Sequence, residues 1–554
     1  MGNEILLIPS ARLIPPSLQI EFGQIPTALI PYAGKTMAEH ILKSYNIPNL
    51  KCLLASNEGS FLFERILSNP KLTFKIINVG QTNSLGETIL SALIEMDCEH
   101  QVLIINFADT LLLEEIVGDN SICYFRSNTD IYRWTTFELN DELIITDIVD
   151  KDYEKISKSN QNIFIGVFKV KNIPKFKNML ANAIQKKEND IDPFYTAIQK
   201  YFNDLNKSEK YFNNVTEWYD FGHLDTYSSS KRKLGMNVRA FNSLQVDERK
   251  GIIRKESENK DKLCKEIKWY LKIPKSLEFL TPRIFDYSLD FEKPYVELEY
   301  YGYPNLSDVY LYGNLNIGDW EKIFDSILFA IDQFKQHALN ITSSQIRESL
   351  EDVYINKTIS RLSEVIENKL FEIYLLRTNI NSKECLSLTE ICTFLPDVLT
   401  RLKIYDRESL NIIHGDFCLS NILYDARVSS IKLIDPRGSF GKYDIYGDLR
   451  YDFAKLFHSI FGDYDFLLNG LYDFDQNEGV ISYKIHTTKN HDLIKKLFEK
   501  KIHLDSLEMI KIRLIESILF LSMVPLHYDK PKEQKAFLTK GIELFSDIYY
   551  KRIV

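Results

Sequence analysis

The chain has 554 residues, of which 45% are hydrophobic, 26% charged and 12% aromatic, and its formal net charge is −9. That length exceeds what one hydrophobic core serves, so two or three domains are expected. The apolar content argues against extensive disorder, and the modestly acidic balance gives no electrostatic support for wholesale binding of nucleic acid or membrane.

Over residues 1–235, short apolar runs alternate with helical patterns. EILLIPS, KCLLASN, FKIINVG and QVLIINFADT read as buried strands, and KTMAEHILKSY and LGETILSALIEM as helices between them. Strand–helix alternation predicts a mainly parallel α/β sheet, whose ligands bind at the carboxyl ends of the strands. Near residue 235 the pattern breaks in a polar, basic segment. GIIRKES and PYVELEYYGY then read as strands around a helical NKDKLCKEIKWYLKI. From about 317 onward the chain reads as helix, with one strand-rich interruption at 411–435. The predicted domains are 1–235, a strand-rich lobe at 240–310 and a helical lobe at 311–554.

Processing signals are not evident. The N-terminus lacks a basic region followed by a long apolar stretch, so no signal peptide is expected. The run IESILFLSMVPL (515–526) is too short to span a bilayer and carries Glu516, so it reads as a buried helix. Seven scattered cysteines (Cys52, Cys98, Cys123, Cys264, Cys385, Cys392, Cys418), with no CxxC pair, read as free thiols. A cytoplasmic protein without membrane insertion is expected; oligomeric state is not legible.

The segment NIIHGDFCLSNILYD (411–425) places His414, Gly415 and Asp416 in a loop between two apolar runs, with Asn421 five positions beyond the aspartate. Downstream, IKLIDPRGSFG carries a strand that ends in Asp435. Phosphoryl transfer to a hydroxyl needs a carboxylate to orient and deprotonate the acceptor, and oxygen ligands for a magnesium ion that bridges nucleotide phosphates. Asp416 suits the first role, and Asn421 and Asp435 the second. The D-x-x-x-x-N spacing is that of a protein-kinase catalytic loop. A phosphate-contacting lysine on a strand, positioned by a helix glutamate, is also needed; Lys255 and Glu266 fall in that order. Asp448 and Asp452 read equally well as braces for the loop or as a helix cap.

These residues resemble the aminoglycoside phosphotransferase and choline kinase superfamily, whose loop is HGDxxxxN followed by a strand ending in Asp. The resemblance implies a bilobal protein-kinase-like fold over about 240–554. It implies ATP and Mg2+ as cofactors, Asp416 as catalytic base, and Asn421 and Asp435 as magnesium ligands. Gly415 stands where protein kinases place Arg, which favours a small-molecule acceptor.

The first half carries a different resemblance. PTALIPYAGKTMAEHIL, GQTNSLGETILSAL, VLIINFADT, NIFIGVFKV and EWYDFGHLDTYSSSKRK follow in order the segments of sugar-phosphate nucleotidyltransferases. The resemblance implies a Rossmann-like nucleotidyltransferase fold. It implies Arg12, Lys35 and Gly86 at the nucleotide, and Asp109 and Asp220 as metal ligands. The family's glycine-rich turn is absent: PSARLIPPS stands in its place with Arg12 kept, and Thr27 replaces a usual lysine. Pro15 and Pro16 remove N–H donors from the segment.

Two functional readings follow. In the first, a kinase phosphorylates a small hydroxylated substrate, and the N-terminal domain converts the phosphomonoester to a nucleotide-activated precursor with CTP or another nucleoside triphosphate. An amino alcohol such as choline, or a sugar, destined for surface polysaccharide or lipid, is the expected substrate. In the second, the N-terminal domain is a non-catalytic nucleotide- or product-binding module on a single active kinase.

Overall fold

The computed structural model describes residues 4–47, 50–57, 74–96, 101–127, 131–152, 161–186, 191–235, 242–247, 249–477 and 479–553. Cys98 and the predicted boundary over 236–240 lie outside them. The chain divides into two compact units, Met1–Lys231 and Arg232–Val554.

The first unit is built on a mixed sheet. Its main path runs Ile145–Asp150, Thr135–Leu139, Gln161–Val170, Val102–Asn106, Glu4–Pro9, Lys51–Ser56, Phe74–Asn78. The last four are mutually parallel, and Gln161–Val170 runs antiparallel to Val102–Asn106. Their apolar runs are buried on both faces, as parallel strands covered by helices require. On one face Leu7, Leu53, Leu103 and Ile105 form a core with Ile89, Leu93, Phe176, Leu180 and Ile198 from the helices Leu85–Ile94, Ile173–Lys186 and Pro193–Asn203. Glu4–Pro9 has the next two parallel strands on one side and Val102–Asn106 on the other. The strand order therefore reverses beside it. Such a reversal opens a crevice at the carboxyl ends of the two strands, here the chain after Pro9 and the chain after Asn106.

The second unit opens with an antiparallel sheet in the order Asn242–Asp247, Ile252–Ser257, Tyr295–Glu299, Ile284–Ser288. Helix Lys260–Lys272 begins at Asn259, whose side chain accepts the Lys262 N–H, and buries Glu266, Ile267, Trp269 and Tyr270. The remainder is mostly helical, including Ile317–Lys335, Lys357–Ile366, Leu388–Arg401, Leu449–Ile460, Ser506–Met523 and Pro531–Arg552. Strands Leu410–Ile412 and Ile422–Asp425 flank the HGD loop, and the latter pairs with Ser430–Leu433.

The expectation of one strand-rich interruption after 317 is corrected. A further four-stranded sheet joins Lys383–Cys385, Thr378–Ile380, Val480–Ile485 and Tyr472–Asn477. These strands are short and largely solvent-facing, so their sequences lack the apolar runs that marked the others. The apolar run near 515–526 lies in the buried helix Ser506–Met523 and the turn after it. Among the described residues, no helix is long and apolar enough to cross a membrane. The six described cysteines are free thiols.

Candidate functional sites

In the second unit, the HGD loop, the end of the strand Ser430–Leu433 and the helix Lys260–Lys272 bring together five residues singled out from sequence. Lys255 Nζ donates to Glu266 at 2.9 and 2.8 Å and to Asp435 Oδ1 at 2.8 Å. Burial opposes a charged lysine there. The carboxylates of Asp435 and Glu266 outweigh it and hold the ammonium well above the ordinary lysine range. Asp435 has φ 57°, a left-handed backbone that aspartate tolerates better than most residues. These groups line one wall of a cleft of about 820 Å3, shared with Asn259, Lys262 and Tyr528.

Asp416 lies next to Asn421, whose Nδ2 donates to the Asp416 carbonyl at 2.9 Å and to Oδ2 at 3.1 Å. Lys455, not anticipated from sequence, sits 2.9 Å from Asp416 Oδ1. Burial works to raise the Asp416 carboxyl, and the Lys455 ammonium outweighs it, leaving the group below its usual range and ionised. Lys455 lies three residues past Asp452, and no motif flagged it.

The loop is pinned from behind. The Asp452 carboxylate accepts the N–H groups of His414 (2.7 Å) and Gly415 (2.8 Å). Asp448 instead caps the helix Leu449–Ile460 and forms a buried ion pair with Arg450. The brace and the cap are therefore separate residues. His414 is buried against Trp269 with ring centroids 5.7 Å apart, and burial pushes its pKa down to about 4, so it is neutral. Gly415 has φ 76°, and a Cβ there would lie 2.8 Å from Arg437 Cβ, so an arginine at this position does not fit.

In the first unit, Asp109 follows strand Val102–Asn106, and Asp220 ends the short strand Tyr219–Asp220 that pairs with Thr110–Leu111. The Phe221 N–H donates to the Asp109 carbonyl at 2.8 Å. A Cβ at Gly222 would lie 2.7 Å from Asp109 Oδ2 and 3.1 Å from Asp220 Oδ1, so the two carboxylates converge on this glycine. Asp220 accepts the Gly222 N–H (2.8 Å) and Trp134 Nε1–H (3.3 Å). Burial, then the Asp220 charge, pushes the Asp109 carboxyl up to about 7. Among the described residues, no cluster of three or more His, Cys, Asp or Glu is placed to hold a metal. Magnesium needs fewer: it binds through one or two carboxylates plus water and substrate phosphates. Two converging carboxylates, Asp220 buried and Asp109 partly so, with no lysine or arginine in an ion pair among the described residues, fit it.

The other expected nucleotide contacts are scattered. Arg12 Nη2 donates to the Asn83 carbonyl at 2.9 Å, which joins the segment after the first strand to the loop before helix Leu85–Ile94. Gly86 is buried in that helix, and its N–H donates to Asp192 at 3.0 Å. Lys35 is half-exposed after a two-residue turn, Ala33–Gly34, in which both residues have positive φ, and it lies 3.4 Å from Glu39. In the segment that replaces the glycine-rich turn, Ser10 N–H is taken by the Ala55 carbonyl and Ile14 N–H by that of Ile25.

No protein-family profile and no curated protein matches the sequence. Solved structures align to its N-terminal part. The CTP:phosphocholine cytidylyltransferase of Streptococcus pneumoniae is 13% identical over 42% of this chain and 100% of that one, with a TM-score of 0.33. The inositol-1-phosphate CTP transferase of T. maritima is 14% identical over 43% and 98%, also at 0.33.

Proposed function

We propose that the chain is a bifunctional enzyme. Its second unit is a kinase-like small-molecule phosphotransferase, and its first a nucleotidyltransferase that uses the resulting phosphomonoester. The observation that carries the first activity is the joint placement of Lys255, Glu266 and Asp435 on one cleft wall, with Asp416 and Asn421 held as a pair.

In the phosphotransfer, the acceptor oxygen attacks the γ-phosphorus of ATP, the bond to the β–γ bridging oxygen breaks, and ADP leaves. Asp416, ionised and fixed by Asn421 and Lys455, orients the hydroxyl and takes its proton. Lys255 contacts the nucleotide phosphates, and Glu266 fixes its position. Asn421 and Asp435 would hold magnesium, which neutralises the charge that develops on the phosphates.

For nucleotidyl transfer, Asp109 and Asp220 would hold the ion, while Arg12 and the loop around Asn83 lie at the carboxyl end of the sheet where a nucleotide belongs. A phosphomonoester oxygen attacks the α-phosphorus and pyrophosphate leaves. A second reading is favoured by one observation: the Ser10 and Ile14 amides are committed to internal hydrogen bonds, which leaves few donors for a triphosphate. On that reading the first unit binds nucleotide or product without turnover.

Pyrophosphate release, assayed with CTP, UTP, GTP and ATP against a panel of phosphomonoesters, separates the two. Release with one pair supports the bifunctional enzyme. Saturable nucleotide binding with no release supports the module. Absence of ADP formation with every hydroxylated acceptor would remove the kinase assignment.

A further inference from the structure

A second group of charges lies near Lys455, the partner of Asp416. The helix Lys357–Ile366 follows a five-residue π-helical turn, Asp352–Asn356, a rare element that shifts the phase of the helix after it and recurs at functional sites. Lys357 and Arg361 are four residues apart and so share a face, beside the buried Thr358, Leu362 and Val365. Arg361 Nη1 donates to the Ser522 carbonyl at 2.8 Å. Tyr354, the central residue of the π turn, stacks on Tyr451 with ring centroids 6.4 Å apart. Tyr451 OH in turn accepts a 2.5 Å hydrogen bond from Arg437 Nη1. Arg437 itself packs against Gly415 in the HGD loop and donates its N–H to the His414 carbonyl at 2.9 Å.

Lys357 thus lies within electrostatic reach of Arg361, Arg437 and Lys455, and Lys455 holds Asp416. Among the described residues, no carboxylate forms an ion pair with any of the three. Burial, with repulsion from Arg437, Arg361 and Lys455, pushes Lys357 down to about 6. A protein that merely needed these half-buried positions filled would not group like charges there, since their mutual repulsion away from bulk water is costly. None of the three lines the cleft that holds Lys255 and Asp435, so the nucleotide phosphates expected there do not account for them.

We propose that Lys357, Arg361 and Arg437 form an anion-binding subsite, and that the acceptor phosphorylated at Asp416 is an alcohol that also carries a carboxylate or phosphate. This rests on the reading of Asp416 as the base of a phosphotransferase. The anionic group pairs with the guanidinium groups, whose planar donor forks match carboxylate and phosphate alike, and this positions the hydroxyl on Asp416. The hydroxyl oxygen then attacks the γ-phosphorus, its proton passes to Asp416, and ADP departs. A quaternary ammonium acceptor would instead meet the guanidinium groups of Arg361 and Arg437.

The test uses the full-length protein and matched probes: glycerol with D-glycerate and glycerol 3-phosphate, D-glucose with D-gluconate and glucose 6-phosphate, and choline. ADP release is measured with ATP and Mg2+. Separately, the shift of the thermal midpoint is measured with each probe and no nucleotide. An anionic probe is expected to exceed its neutral partner in kcat/KM by about 10-fold or more, the worth of one charge-assisted hydrogen bond. Comparison of the carboxylate and phosphate members of each set identifies which anion the subsite takes. Arg361→Met and, independently, Lys357→Met are expected to raise KM for that acceptor while KM for ATP stays put, and to abolish the midpoint shift.

Preference for choline or a neutral alcohol overturns the subsite and leaves the kinase intact. A rise in KM for ATP in place of the acceptor also overturns it. If no probe is phosphorylated, the kinase reading falls, and the midpoint shift still decides the subsite: no shift with any anion overturns it.

Discussion

Asp416 and Asp435 lie 2.9 and 2.8 Å from lysine ammonium groups, those of Lys455 and Lys255. Asp109 and Asp220 converge on Gly222 with, among the described residues, no lysine or arginine in an ion pair with either. The consequence is visible in their protonation: Lys455 holds Asp416 below its usual range, whereas burial and Asp220 push Asp109 up to about 7. Both sites offer hard oxygen ligands suited to magnesium, but they meet the cost of partly buried carboxylates differently. The second unit neutralises its acids with its own cations and so is preassembled. The first neutralises part of its charge with a proton.

The largest expected effect separates the two units outright. Asp416→Asn keeps the size of the side chain and one of its two acceptor oxygens but cannot take the proton. It is expected to reduce ATP-dependent phosphorylation by about 1000-fold, within the range for loss of a general base. Pyrophosphate release from a supplied phosphomonoester should be untouched, and the thermal midpoint should stay close to wild type. Full phosphorylation by the variant would sink the assignment of Asp416.

Preassembly is tested by Lys255→Met. Removing the ammonium leaves Glu266 buried without a partner, so a loss of about 3 kcal/mol is expected in urea denaturation. Adding Glu266→Leu should return most of that loss. A double variant as unstable as the single one would mean that the ion pair does not hold the cleft wall together. In the first unit the corresponding point is Gly222. Gly222→Ala drives a methyl to within 2.7 Å of Asp109 Oδ2 and should cost about 1–3 kcal/mol as overpacking. Nucleotidyl transfer should be lost while ADP formation persists; equal loss of both activities would contradict separate sites.

Legibility in the sequence followed the same divide. The parallel strands were readable because burial on both faces leaves continuous apolar runs, as in EILLIPS and VLIINFADT. The hairpin YDFDQN–VISYKI escaped notice because only alternate residues face inward. Lys255, Glu266, Asp416, Asn421 and Asp435 could be placed in order because the D-x-x-x-x-N spacing anchors Asp416 and Asn421 and the others fall on short elements in sequence around it. Lys455, Lys357 and Arg361 could not: they are ordinary helix residues until tertiary packing sets Lys455 on Asp416 and Lys357 near Arg361 and Lys455. Trp134 was invisible for a similar reason, since it comes to Asp220 from 86 positions away.

That tryptophan supplies the smallest and most local test of the contrast. Nε1–H of Trp134 donates to Asp220 Oδ2 at 3.3 Å, a long bond, and its ring meets Trp218 edge-on at 5.5 Å. Trp134→Phe deletes the donor while keeping an aromatic ring for Trp218. Asp220 retains the Gly222 N–H, so the carboxylate loses one of its two named donors and keeps its place on the chain. A neutral donor to a carboxylate at this distance contributes about 1 kcal/mol, so nucleotidyl transfer should fall by about 5-fold. The loss should appear in the Mg2+ concentration needed for half-maximal rate, because the bond orients an acid that no lysine among the described residues pairs with. Phosphorylation at Asp416 should not change. A variant whose Mg2+ requirement matches wild type would show that Asp220 is positioned by its backbone alone, and the two units would then differ less than their charges suggest.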